Sequence, residues 1–69
     1  MGLDRNDLKA SPGMFRVVAV DTFDGTDWVA GEFATLPDAR TKANATGKTM
    51  LRAYVYDDKG NNLHFAGSM

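Results

Sequence analysis

The stretch "FRVVAV", residues 15–20, constrains the fold of this chain more than any other. With its neighbours in "MFRVVAVDTF" (14–23) it is dense in β-branched and aromatic residues, the composition of a strand. Side chains alternate across a strand, and here both sets are apolar: Phe15, Val17 and Ala19 on one side, Val18 and Val20 on the other. A strand apolar on both sides belongs in the middle of a sheet, with a neighbour on each flank.

The remaining segments supply those neighbours. "WVAGEFAT" (28–35) follows a turn containing Asp24-Gly25 and reads as the second arm of a β-hairpin. "TLPDARTKANATG" (35–47) reads as a helix, with Thr35 as N-cap, Pro37 in the first turn and Asp38 closing a short capping box. Leu36, Ala39 and Ala43 share one side, and Gly47 suits a left-handed C-terminal cap. The alanines imply a helix lying close against a sheet. "MLRAYVY" (50–56) and "NLHFA" (62–66) form a second hairpin. The expected fold is α+β and two-layered: a four-stranded antiparallel sheet, ββαββ in order 2-1-3-4, with one helix on one face. Residues 1–13 mix charges with Asn6, Ser11, Pro12 and Gly13 and read as a flexible leader, so 14–69 form the single small domain.

Two turns carry clustered carboxylates. In "YVYDDKGNNLHF" (54–65) a calcium loop counted from Asp57 would need a ligand where Lys59 stands and a glutamate where Ser68 stands. The turn reading fits better: Asp57 opens a type I turn and Gly60 takes the left-handed bulge position. Pairing Asp57 with Asn61 then sets Val55 opposite Leu63 and Ala53 opposite Phe65. In "DTFDGTDW" (21–28) a three-residue loop pairs Thr22 with Thr26, Val20 with Trp28, Ala19 with Val29 and Phe15 with Phe33. It sets Arg16 opposite Glu32, an ion pair, but leaves Asp21 facing Asp27. Asp21, Asp24 and Asp27 could gather around calcium, though a solvated acidic turn is the plainer reading.

These registers sort the sheet into two faces. One holds Phe15, Val17, Ala19, Val29, Phe33, Leu51, Ala53, Val55, Leu63 and Phe65 beneath the helix. The other holds Arg16, Val18, Val20, Trp28, Ala30, Arg52, Tyr54, Tyr56 and His64, and a single helix cannot cover it too. Exposed apolar patches mark interaction sites, and Trp, Tyr and Arg are the hot-spot residues of interfaces. The expected function is therefore a non-enzymatic interaction module. It would bind itself, as a homodimer, or a protein partner through Arg16, Val18, Val20, Trp28, Arg52, Tyr54, Tyr56 and His64. Residues 1–13 are the competing cover, with Leu3 or Leu8 docking there. The same basic and aromatic mixture suits stacked bases, but a net charge of −1 and the lack of a basic stripe disfavour nucleic acid.

Little else in the chain carries chemistry. There is no cysteine, which excludes disulfides and thiolate metal sites. His64 is the only histidine and has no partner at ligand spacing. Ser11 and Ser68 sit near the ends, so no Ser–His pair is credible. "GKT" (47–49) resembles the end of a P-loop, but Lys42 stands where its first glycine belongs. No cofactor, catalytic residue or metal ligand is expected. The start, "MGLDRNDLKASPG", lacks a signal-peptide centre, and no apolar run approaches the roughly 20 residues of a membrane span. A cytoplasmic location follows as the expectation.

Overall fold

The computed structural model describes residues 8–67. Its elements run β1 (Phe15–Asp21), β2 (Thr26–Phe33), α1 (Leu36–Thr46), β3 (Leu51–Tyr56) and β4 (Asn62–Ala66). The strands form one four-stranded sheet in order β2-β1-β3-β4, antiparallel throughout. The expected ββαββ architecture is present, and the doubly apolar β1 lies inside the sheet between β2 and β3. No helix among the described residues is long and apolar enough to cross a membrane.

The helix packs on one face through small side chains. Thr35 caps it, its Oγ1 accepting the Asp38 N–H at 3.4 Å. Ala39 and Ala43 are wholly buried against Val17, Ala53 and Val55, with Phe15, Ala30, Phe33 and Leu36 around that cluster. The largest fully buried side chains among the described residues are only valines: Val17, Val18 and Val55. A core of this size leaves a short chain little margin over its conformational entropy.

Gly47 departs from expectation. Its φ of −67° lies outside the left-handed region, so it is not a left-handed cap. A Cβ there would meet the carbonyl carbon of Ala66 at 2.6 Å and the backbone nitrogen of Gly67 at 2.7 Å. Glycine is needed because the helix end lies directly on the β4 backbone. Left-handed φ falls instead on Met50, at 64°, in the turn that leads into β3.

Both hairpins depart from the expected register, each by one residue and for one reason. Pairing of β1 with β2 begins as expected, with Phe15 opposite Phe33 and Arg16 opposite Glu32. A bulge at Ala30 then shifts the rest, so that Val18 faces Val29, Ala19 faces Trp28 and Asp21 faces Thr26. The loop grows to four residues, closed by the Gly25 N–H on the Asp21 carbonyl at 2.8 Å. The shift also removes the Asp21–Asp27 confrontation, since Asp27 now faces Val20. In the second hairpin Tyr56 faces Asn62, but a bulge at Leu63 sets Val55 against His64 and Tyr54 against Phe65. Asn62 Nδ2 fills the gap, donating to the carbonyls of Val55 (3.2 Å) and His64 (3.0 Å). Both bulges fall on edge strands, where an extra residue bends the strand and disrupts a ladder open to foreign strands.

Candidate functional site

Because side-chain direction alternates, a one-residue shift exchanges the faces of everything beyond it. Trp28, expected on the open face, is paired with Ala19 and so belongs to the helix side, at the β2 edge. His64, also expected on the open face, lies on the helix side, where its Nε2 is 2.9 Å from Asn44 Oδ1 of α1. Ala30 packs against the helix-side core. Val29 and Phe65, expected in the core, move to the opposite face. Leu63 leaves the core register as the bulge residue.

The outer face, away from the helix, therefore consists of three cross-strand rows. The middle row runs Val29, Val18, Tyr54, Phe65. On one side lie Asp27, Val20 and Arg52; on the other Glu32, Arg16, Tyr56 and Asn62. Six of the expected site residues are thus gathered on one face: Arg16, Val18, Val20, Arg52, Tyr54 and Tyr56. Trp28 and His64 do not join them.

The interior of this face is filled rather than bare. Val18 is 1% exposed, while the row ends, Val29 and Phe65, are 43% and 52% exposed. The Arg52 guanidinium lies over the rings of Tyr54 and Phe65, 5.3 and 5.1 Å from their centroids. Its Nε is buried without a hydrogen-bond partner, so the ring faces are the only compensation the described residues offer it. Tyr54 also packs beside Tyr56, with ring centroids 6.2 Å apart. Burial pushes the Tyr56 phenol up from its ordinary range, and Tyr54 adds to the effect.

Residues 8–13 approach the Arg16–Tyr56 end of this face. The Ala10 N–H donates to the Asp57 carbonyl at 3.0 Å and the Ser11 N–H to Glu32 Oε2 at 3.1 Å. The Gly13 N–H donates to Asp58 Oδ2 at 3.0 Å. Ser11-Pro12-Gly13-Met14 is a type II turn in form, with Gly13 at φ 76° and the Met14 N–H on the Ser11 carbonyl. The Pro-Gly pair was a readable turn signal. The remaining seven leader residues, and with them Leu3, lie outside the described residues.

The acidic turn after β3 is a turn. Gly60 has φ 84° and its N–H returns to the Asp57 carbonyl. Asp57 Oδ1 accepts from the N–H groups of Lys59 and Asn61, both at 2.9 Å. Asp21 is similarly engaged by the N–H groups of Phe23 and Asp24 in its own loop. Among the described residues no three His, Asp or Glu side chains come together as a metal site, and no pocket opens. Comparison with family models, curated proteins and solved structures returned no match.

These carboxylates make stability acid-sensitive. Glu32 is held below its usual range, first by the Ser11 N–H, with Arg16 contributing further. Asp57 is held low first by the Asn61 N–H. Both bind protons less readily in the native than in the unfolded chain. Their contribution is complete above the unfolded carboxylate pKa and is lost as pH falls through the native one. Urea midpoints should hold level from pH 7 to about 5 and then fall. Asp57→Asn, which keeps an acceptor in the turn but cannot titrate, should make that fall shallower. A variant curve parallel to wild type would contradict this.

Proposed function

We propose that this chain is a cytoplasmic, non-enzymatic interaction module that binds a second copy of itself or another protein through the outer face of its sheet. The observation carrying this reading is the middle row: buried Val18 and half-buried Tyr54 between half-exposed Val29 and Phe65. Arg52, laid over two aromatic rings, is of the residue type that anchors interfaces. A core whose largest buried side chains are valines supplies the energetic motive. Covering the exposed parts of Phe65 and Val29 adds apolar burial, at roughly 25 cal/mol per Å², where the isolated chain has little.

A basic and aromatic face also suits single-stranded nucleic acid, but Arg52 already occupies the ring faces on which bases would stack. Protein is the partner better served.

The test is light scattering after size exclusion over a concentration series. Mass should rise toward that of two chains, and Phe65→Ser or Val29→Ser should weaken association by about tenfold or more. A dimer that neither substitution disturbs would place its interface elsewhere. Should the mass stay that of one chain, a photo-crosslinking residue at position 65 becomes the deciding probe. Failure to capture any protein in the cell would then sink the reading.

A further inference from the structure

The described part of the leader is fastened in an unusual way. Of the three backbone N–H groups it gives to the domain, two go to side-chain carboxylates, Glu32 and Asp58, rather than to a backbone ladder, and the Ser11 side chain adds a further bond to Glu32. Its apolar anchorage is slight. Ala10 is buried and Leu8 half-buried, while Lys9, Ser11, Pro12 and Gly13 are exposed. The stem of Lys9 runs beside Gly60, where a Cβ would meet its Cγ at 3.2 Å. Glu32 serves two masters, because the oxygen that takes the Ser11 N–H also takes Arg16 Nη2 at 2.8 Å and Nε at 3.1 Å. Segments held by a few exposed hydrogen bonds and little apolar area open at low free-energy cost.

We propose that residues 8–13 form a releasable strap that competes with the partner for the Arg16–Tyr56 end of the outer face. This rests on the reading of that face as the interaction surface. Closed, the strap lies beside the third row, where Glu32, Arg16 and Tyr56 meet. Open, it frees that row to continue the surface begun by Val29, Val18, Tyr54 and Phe65. The charged groups around it are Lys9 on the strap, Arg16 on β1, Glu32 on β2, and Asp57, Asp58 and Lys59 in the β3–β4 turn. Ionised Glu32 and Asp58 favour the closed form as acceptors for two N–H groups. Removal of either carboxylate favours opening. The turn that resembled a cation loop acquires a role here: Asp57 shapes it, and Asp58 holds the strap.

The experiment measures the strap without any partner. Amide exchange by NMR should show Ala10, Ser11 and Gly13 protected in the wild type. In Asp58→Ala, which leaves the Arg16–Glu32 pair intact, protection of Gly13 should drop by about tenfold. Protection of Val17 and Val55 should be unchanged. Glu32→Gln should loosen Ser11 likewise. In the same variants the concentration for half-association by light scattering should fall. Strap amides that exchange freely in the wild type, or stay protected in both variants, overturn the strap. An opened strap with wild-type association overturns the competition. If neither wild type nor variants associate, competition between the strap and a second copy of the chain is overturned, while the exchange data still report the latch separately.

Discussion

Gly47→Ala is expected to lower the melting temperature by roughly 10–20 °C, corresponding to about 2–3 kcal/mol for overpacking in a domain this small. The added methyl would sit 2.6 Å from the Ala66 carbonyl carbon, 2.7 Å from the Gly67 nitrogen and 2.9 Å from the Ala66 Cβ. Two of these neighbours are backbone, and no rotamer change moves them aside. The helix end must lift from β4, and Ala43 and Ala39 stand four and eight residues before Gly47 on the same stripe. Lifting it therefore opens the contact with Val17, Ala53 and Val55 that constitutes the core. Gly47→Asn makes the test specific. A left-handed cap accepts asparagine with little loss, whereas a site closed by backbone rejects it at least as strongly as alanine. Gly25→Ala is the control: nothing lies within 4 Å of its Cβ, so only its φ of 74° resists, at about 1–2 kcal/mol. Equal melting temperatures for Gly47→Ala and wild type would show that helix and β4 are not in contact there.

The architecture was legible in the sequence because its strongest signals are local and agree. "FRVVAV" identifies the inner strand, Thr35 and Asp38 mark the start of the helix, and Asp57 with Gly60 marks the turn. The distribution of residues between faces was less legible, because one bulge reverses everything beyond it. In the first hairpin the sequence held a warning. A continuous register set Asp21 against Asp27, and a conflict of like charges is what an inserted residue relieves. In the second hairpin there was none. Val55 against Leu63 and Ala53 against Phe65 are as apolar as the pairs that form, so pattern alone could not choose between phases. The choice was made by Asn62, whose amide satisfies the carbonyls that the bulge at Leu63 leaves open. Val29 and Phe65 thus reached the candidate surface, and Trp28 and His64 left it, for reasons a hydrophobic pattern does not encode. Gly47 shows the same limit. Its position at the helix end was readable, but its need for glycine comes from the end of β4, at Ala66 and Gly67, far away in sequence.

Val18→Asp is expected to unfold the domain outright at neutral pH. Val18 is 1% exposed on the outer face, between Val29 and Tyr54 in its row, and it ranks with Val17 and Val55 among the largest fully buried side chains. An ionised carboxylate there has no water and no cation directly opposite it; Arg52, on the same face, stands one row away and is laid over the rings of Tyr54 and Phe65. An uncompensated buried charge costs about 3–5 kcal/mol, as much as the total stability of about 3.5–5 kcal/mol that the low end of the per-residue range gives so short a chain. Val18→Thr keeps the shape and adds only a hydroxyl, so it should fold and lose about 1–3 kcal/mol. Val29→Asp, on the exposed end of the same row, should cost under about 1 kcal/mol. The comparison bears on function as well as stability. If the outer face were bare until a partner arrives, Val18→Asp would fold normally and fail only to associate, making Val18 an interface residue. If Val18 is instead the floor of a second, smaller core, Val18→Asp is lost to unfolding while Phe65→Ser and Val29→Ser fold and lose association. Circular dichroism on Val18→Asp alone separates the two. A folded Val18→Asp would return the centre of the sheet face to the partner, and an unfolded one confines the contact to the rim formed by Val29, Phe65 and Arg52.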